Sequence, residues 1–418
     1  MKAKFKYAKR INSKVLLEKL RSITNKEGNQ IKFDAFAYEE LQWIFISVID
    51  FGSIYSAETR RSILGKAFRK IGLNEKYDEQ NFFEILNKEI IEHNKKEEKQ
   101  YYFLASLSIK KIPIRKTKIG SCVITVTGKN YPKKFVKHRK KIHEDHDLNA
   151  ENSDYLKVVV SIKAKSFLDA YEEANKSFEV FRGMLCLVTS SNLELRFGSG
   201  ATKPINKVRM GKYSSLHLEN GENANINYLW FDSSYVEAKV FTLNEEEQET
   251  LKKSLKWFIK LFNQCKINHQ VGIAKALNIY VGAYDESNKH ICFLKAWTAL
   301  ETILNTDNND LLIKRCLSMY HEDHKLYKKQ ILESLRGFRN ELVHEGDNAL
   351  DPSVSCYMVQ NTIYDMIVRF NLRYAGFFEN IDESVLFLDN YSPDLKELEK
   401  RKKILDRAIK LKEKNTRR

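Results

Sequence analysis

A histidine, an asparagine and two arginines lie close together in "ESLRGFRNELVHEGD", which runs from Glu333 to Asp347. Histidine transfers protons near neutral pH, and the planar guanidinium of arginine binds phosphate oxygens. Asn340 and His344 are four residues apart, so they lie one turn apart on one face of a helix, and Arg336 extends this row by one turn. Arg339 lies about 140° around the helix from His344. The Arg339 guanidinium can reach the imidazole in three ways: through its long side chain, through a distorted last turn, or from a second copy of the helix.

The same stretch carries the pattern of a helix that packs on a core. Ile331, Leu335, Phe338 and Leu342 repeat at steps of four and three residues, which indicates one apolar face. Gly346 is placed to end the helix in a left-handed conformation. A histidine in a last turn is also favoured by the helix dipole, and arginines on an outer face need no chemistry. The residue types alone therefore leave a structural helix end as an alternative to a reactive site.

"RNELVH" followed by "EG" resembles the terminal motif of HEPN domains, which has an arginine, a polar residue and then a histidine. The upstream segment "HICFLKAWTALETIL" is similar to the Apea-like branch of that superfamily, which often has a bulky residue followed by "ALE". The residues that carry this second likeness are Trp297, Ala299, Leu300 and Glu301. The resemblance covers about residues 245–376 and implies an all-α helical bundle there.

The resemblance implies a metal-independent endoribonuclease that needs no cofactor. His344 would be the general base or acid, Arg339 would bind the scissile phosphate, and Asn340 would orient the pair, with Arg336 and Glu301 in support. The 2′-hydroxyl of the RNA would attack and leave a 2′,3′-cyclic phosphate. Related proteins are often homodimers with two motif helices facing one cleft, and many serve antiphage defence, abortive infection or toxin systems. Other HEPN domains bind partners without cutting, so a non-catalytic binding or dimerisation module is the alternative.

Glu301 has a second argument of its own, taken from its surroundings. It is a carboxylate on the most apolar helix pattern of the chain, and a buried acid needs a partner. Two interpretations remain open: the carboxylate pairs with Arg339 or His344, or it lies in water at the rim of the helix.

Composition points to a globular protein with a positive surface. The chain has 418 residues, of which 43% are hydrophobic, and a formal net charge of +16. Such a charge favours polyanionic partners such as RNA, although a lysine-rich solvated surface gives the same number. The six widely spaced cysteines indicate buried free thiols, and no apolar run reaches the length of a membrane span. We therefore expect a cytoplasmic protein with no membrane partner.

Pattern changes divide the chain into three parts. The pattern predicts an α+β region over residues 1–241, an all-α bundle over residues 242–376 and a basic helical tail over residues 377–418. Ser166 is expected to open one helix, and Thr242 with Glu245 to form a capping box on another. The α+β region is expected to sense a trigger, restrain the nuclease or bind a regulatory partner.

Three weaker signals also occur. "HEDH" stands at 143–146 and again at 321–324, but neither copy has a clear third ligand, so no metal site is predicted. "RFGSGATK" at 196–203 lacks phosphate-loop spacing and predicts a turn. The basic run from Lys133 to Lys141 is interpreted as an exposed loop, with RNA backbone binding as the alternative.

Overall fold

Four helices form the N-terminal part of the chain in the computed structural model, which describes residues 2–416 except 7–9, 29, 53–54, 191–202, 226–228, 234, 346–351 and 392–393. They are α1 (Ser13–Ser22), α2 (Ala35–Val48), α3 (Ala57–Asn74) and α4 (Glu79–Asn94). Each begins after a side chain that accepts a backbone hydrogen bond from the first turn, namely Asn12, Asp34, Ser56 or Asp78. Two antiparallel strand pairs accompany the helices: β1 (Lys4–Phe5) with β4 (Ile49–Asp50), and β2 (Thr24–Glu27) with β3 (Gln30–Phe33). These elements enclose a hydrophobic core of their own.

A six-stranded antiparallel sheet follows, in the order β10-β9-β5-β8-β7-β6. Its strands are β5 (Lys99–Leu107), β6 (Lys116–Ile119), β7 (Cys122–Gly128), β8 (Leu156–Ala164), β9 (Tyr213–Leu218) and β10 (Trp230–Phe231). Two helices lie between strands of the sheet in the chain, α5 (Lys133–Asp145) and α6 (Phe167–Thr189). Strands and helices thus both occur before residue 242, as expected of an α+β region, whereas residues 192–198 lie outside the described residues. So does all of 196–203 except Lys203.

The period-two alternation of the strands separates the two faces of the sheet. Phe103 in β5 belongs to the core shared with α6, and its ring contacts Phe178 of that helix. The next residue, Leu104, belongs to a smaller cluster with Phe135 of α5. Helix α6 begins at Ser166 as predicted, since the Ser166 hydroxyl accepts a hydrogen bond from the Asp169 N–H.

The segment from Lys133 to Lys141 is part of helix α5, so its interpretation as an exposed loop was wrong. Phe135, Arg139 and Ile142 are buried at helical spacing, and the remaining basic residues face outward. The spacing of these residues already indicated an apolar face, but it was overlooked because the segment is rich in lysine.

Two carboxylates of α6 connect the N-terminal helices to the sheet. Asp169 accepts hydrogen bonds from the Ser56 backbone N–H at 3.2 Å and from the Thr59 hydroxyl at 2.7 Å. Glu172 accepts one from the Ala57 N–H at 3.0 Å. The N-terminus of α3 carries partial positive charge and unpaired N–H groups, so acidic partners suit it.

The chain is helical from residue 245 onward, which gives a mixed α+β protein with a helical C-terminal region. The helices are α7 (Glu245–Gln264), α8 (Ile267–Tyr284), α9 (Lys289–Ile303), α10 (Asn309–Leu317), α11 (Glu322–Glu345), α12 (Ser353–Tyr364), a π-helix (Asp365–Leu372), α13 (Ile381–Tyr391) and α14 (Leu395–Thr416). Helix α7 has one apolar face, because Leu251, Leu255, Phe258 and Phe262 are all buried at helical spacing. No helix within the described residues is long and apolar enough to cross a membrane.

The capping box of α7 lies two residues later than predicted. Asn244, not Thr242, is the N-cap, and Glu247, not Glu245, returns the second hydrogen bond. Both pairs have the spacing that a capping box requires. The sequence alone therefore could not decide between two helix starts that differ by about half a turn.

One hydrophobic core extends from the sheet through α6 into the C-terminal helices. Gly183 of α6 lies against Leu277 and Val281 of α8, where a side chain at 183 would approach both within about 3.4 Å. The six cysteines are free and buried, as predicted. The boundary proposed between residues 241 and 242 therefore divides the chain at a change of pattern, while the apolar core continues across it.

Candidate active site

The motif helix α11 is held by its apolar face. Leu335 and Leu342 are buried, and Phe338 is half-buried with its ring 4.8 Å from that of Phe293 in α9, in an edge-to-face contact. Ile331 is also partly buried against the same core. The predicted apolar face is thus confirmed, and it orients the polar residues of the motif. Gly346, the predicted end of the helix, lies outside the described residues.

Arg339 pairs with Glu301 across the contact between α9 and α11. Arg339 Nη2 lies 4.0 Å from Glu301 Oε1, with side chains 32% and 19% exposed. The pair is therefore half-buried, with one edge of the guanidinium open to solvent. Of the two interpretations of Glu301, the structure selects a partly buried carboxylate with an arginine partner.

The protonation of Glu301 reflects this position. Burial raises the pKa of its carboxyl, and the charge of Arg339 partly offsets the rise. Trp297, one turn earlier in α9, also acts against the rise, and its buried Nε1 falls short of a standard hydrogen bond to any described residue. The ion pair consequently weakens on acidification at a higher pH than one made by an ordinary glutamate.

Arg336 is occupied elsewhere. Its guanidinium lies 2.6 Å from Asp310 at the start of α10 and 2.7 Å from Glu333 in the preceding turn. These contacts tie α10 to α11 and fix Arg336 away from Arg339. Sequence reasoning placed Arg336 in the motif row but missed Asp310, which is 26 residues away. The Glu333 contact was readable from its three-residue spacing.

Asn340 and His344 are exposed in the last two turns of α11. The helix is regular through Glu345, so the angular separation of about 140° between Arg339 and His344 persists. No hydrogen bond or ion pair joins Arg339, Asn340 and His344 to one another. Among the described residues, the structure brings Arg339 to Glu301 and leaves the His344 side chain exposed.

Exposed apolar side chains occur on three helices of the bundle, α9, α11 and α12. They are Ile291 of α9, Val343 of α11, and Val354 and Met358 of α12. The first turns of α9 and α12 are close together, because the Cys356 thiol of α12 donates to the Lys289 carbonyl at the start of α9.

No family model, curated protein or solved structure matches this chain. The assignment of a site therefore depends on its own residues and their geometry.

The two "HEDH" segments lie apart from the motif. His143 in the last turn of α5 pairs with Glu151 at 3.1 Å. In the second segment Glu322–His324 form the first turn of α11, and His321 just before it lies 3.1 Å from Asp323. Within the described part of the chain, no three histidine, cysteine or acidic residues are grouped as metal ligands.

Proposed function

We propose that this chain is a metal-independent endoribonuclease of HEPN type, active as a homodimer. The observation that carries the proposal is the exposed His344 at the end of a helix whose Arg339 is held at the same end by Glu301. RNA supplies its own nucleophile, so a proton-transfer group and a phosphate-binding cation are sufficient chemistry.

In this mechanism His344 removes the proton from a 2′-hydroxyl or gives a proton to the leaving oxygen. The 2′-oxygen bonds to phosphorus as the bond to the 5′-oxygen breaks, which leaves a 2′,3′-cyclic phosphate and a 5′-hydroxyl. Arg339 binds the phosphate oxygens and remains charged throughout. Asn340, one turn from His344 on the exposed face, orients the imidazole and the guanidinium toward the phosphate.

A dimer would bring together Arg339 and His344, which one chain keeps apart. The angular separation of Arg339 and His344 favours a cleft in which two copies of α11 face each other. Exposed apolar side chains on α9, α11 and α12, namely Ile291, Val343, Val354 and Met358, are available for such a contact. Burial of these side chains would stabilise the dimer through the hydrophobic effect.

The setting we propose is cytoplasmic, in antiphage defence or as a toxin that acts by abortive infection, and it rests on analogy. The region before residue 242 would then carry the sensor or partner-binding role. Within that region, Asp169 and Glu172 of α6 bind the N-terminus of α3, and α6 itself packs in the core shared with the C-terminal helices.

The test is RNA cleavage by the purified chain in EDTA, compared with His344→Ala and Arg339→Ala. Matched controls are His324→Ala, an exposed histidine on the same helix, and Arg373→Ala, an exposed arginine elsewhere. We expect cleavage to cyclic-phosphate ends by the wild type and both controls, and loss of cleavage in both motif variants with the fold retained. Toxicity in cells is scored in parallel. A protein that is toxic in cells but does not cut RNA when purified lacks an activator in the assay, whereas a protein that does neither lacks the activity.

One observation favours a second function, that of a non-catalytic binding or dimerisation module. Arg339 is already paired with Glu301 inside the chain, as expected if the motif holds two helices together. This alternative predicts that Arg339→Ala lowers stability, while wild type and His344→Ala are equally inactive toward RNA and equally harmless in cells. Cleavage that survives both motif variants would reject the proposed site, and loss of cleavage only in EDTA would point to a metal.

A further inference from the structure

A polar cavity of about 370 Å³ lies between the end of α6, α11, α12 and the π-helix. Leu187 forms its apolar side, and its polar lining residues are Lys328, Gln360, Asn361, Tyr364, Asp365 and Arg369. Lys328 is eleven residues before Arg339 in α11, so the cavity is about 16 Å along the helix from the candidate active site. It is therefore separate from the proposed nuclease chemistry.

The π-helix shapes one wall of this cavity. Residues Asp365–Leu372 form the π-helix, in which backbone hydrogen bonds join residues five apart. In this geometry residues five apart are neighbours, and the Arg369 guanidinium lies 5.9 Å from the centroid of the Tyr364 ring. Long π-helices are rare, and shorter π segments occur frequently at functional sites.

The charges of the cavity are unbalanced toward the positive. Asp365 already accepts a hydrogen bond from the Tyr320 hydroxyl at 2.6 Å and pairs with Arg369 at 3.1 Å. Lys328 has no carboxylate within 4 Å among the described residues. Arg369 is 68% exposed, so the guanidinium edge that does not face Asp365 is open. Two cations thus border the cavity and only one of them has an acidic partner.

Gln360 at the base of the cavity has an unmet hydrogen-bonding group. Its side chain is 2% exposed, and Nε2 donates to the Tyr280 hydroxyl at 2.7 Å. Oε1 has no partner among the described residues. Buried polar atoms nearly always have a hydrogen-bond partner, so an acceptor without a donor indicates a place where a ligand can donate.

We propose that this cavity binds a small organic anion that carries a planar ring, of the aryl phosphate class. The anion lies between Lys328 and Arg369, whose donors suit phosphate oxygens. The ring lies beside Tyr364, and an amino or hydroxyl group on the ring donates toward Gln360. The volume suits a ligand of that size and excludes a folded macromolecular partner.

The test is calorimetric titration of the full chain with 4-aminophenyl phosphate, inorganic phosphate and 4-aminophenol. We expect saturable binding of the first ligand and at least tenfold weaker binding of the other two, because each lacks the ring or the anion. Inorganic phosphate that binds as tightly as the aryl phosphate would overturn the proposal, as would the absence of saturable binding.

Variants assign the binding to the cavity. Lys328→Gln and Arg369→Gln are each expected to weaken binding about tenfold, since each removes one charge-assisted contact. Lys329→Gln and Arg373→Gln remove the same charge from exposed neighbours and are expected to bind as the wild type does. Equal losses in all four variants would indicate attraction to the basic surface and reject the site. If Arg369→Gln fails to fold, Lys328→Gln decides, because Lys328 has no carboxylate partner among the described residues.

Discussion

Arg339 of α11 and Glu301 of α9 form a half-buried ion pair that joins the two helices at the motif end, with Nη2 and Oε1 4.0 Å apart. The arginine is 32% exposed, so it is held on one side and accessible on the other. This combination suits a phosphate-binding group, because a positioned cation loses less conformational freedom when the phosphate arrives. The same pair also explains why the motif arginine does not extend toward His344 within one chain.

Glu301→Gln tests whether this pair positions Arg339. The substitution keeps the shape and removes the charge, so the guanidinium becomes less restrained. We expect single-turnover RNA cleavage to fall about tenfold, whereas the free energy of unfolding changes by less than about 1 kcal/mol because partly exposed pairs contribute little. Cleavage rates and urea unfolding of the same preparations give both quantities. Glu286→Gln is the control, because Glu286 lies just before α9 and pairs with Lys295 of that helix. An unchanged cleavage rate in Glu301→Gln would remove Glu301 from the site.

Glu151 predicts how stability depends on pH. Burial raises the pKa of its carboxyl, but Arg139, His143 and Lys157 outweigh that effect and lower the pKa to about 2 from an ordinary 4.5. A lowered carboxyl pKa gives stability that is present above the unfolded value and is lost as the pH falls from 4.5 toward 2. The shift corresponds to about 3 kcal/mol.

We therefore expect Glu151→Gln to cost about 3 kcal/mol or more at pH 7, because Arg139 is left buried without its partner. The cost should shrink below pH 4, where the wild-type carboxyl is losing its charge. Urea unfolding across this pH range measures it. Glu144→Gln, on an exposed pair with Lys140 in the same helix, should change little at any pH. A cost that is the same at pH 7 and pH 3 would contradict this account of Glu151.

Local pattern predicted the helices but not their partners. The spacing of Leu335 and Leu342 gives the apolar face of α11, and the start of α6 follows from Ser166. The contact of Arg336 with Asp310 depends on how α10 turns back onto α11, and no spacing rule contains that information. In the same way, the docking of Asp169 on Ser56 joins residues 113 apart in the chain.

The individual residues of the candidate site could be predicted from the sequence. The motif residues could be named because helical spacing and a family resemblance both pointed to them. Their mutual geometry could not be predicted, since the pairing of Arg339 with Glu301 depends on the crossing of α9 and α11. The polar cavity beside Tyr364 was also missed, because a π-helix has no clear sequence signal and the wall combines three separate segments.

Gly221 is a position where the backbone conformation and the surrounding space both require glycine. Its φ is +94°, and a Cβ there would lie 2.1 Å from the Lys134 carbonyl oxygen. We expect Gly221→Ala to destabilise the fold by about 3 kcal/mol or more, because backbone atoms cannot move aside as a flexible side chain can. Gly128→Ala is the matched control, since Gly128 has a similar φ of +89° with nothing within 4 Å. Chemical unfolding of both variants separates the steric cost from the backbone strain, and equal losses would show that the contact with Lys134 is unimportant.

Helix α14 predicts how salt affects RNA binding. Residues 394–418 hold eleven basic and five acidic residues, and the described side chains from 394 to 413 are exposed except Leu398, which is half-buried. Each lost contact with a single-stranded phosphate reduces the slope of log K against log salt by about 0.7. If RNA follows this helix, the triple change Lys400→Gln, Lys403→Gln and Arg407→Gln should reduce the slope by about 2, while the exposed helix adds little to stability.

The matched control removes the same charge from an exposed part of α7, at Lys253, Lys256 and Lys260. Fluorescence anisotropy with a short single-stranded RNA at several salt concentrations measures all three proteins. A smaller slope in the α14 variant alone assigns RNA binding to that helix, because both variants have the same net charge. Equal changes in the two variants would mean that RNA responds to the overall charge of +16 and that α14 has no special role. Cleavage at low salt would then depend only on the motif residues and on the nonspecific attraction of RNA to the positive charge of the chain.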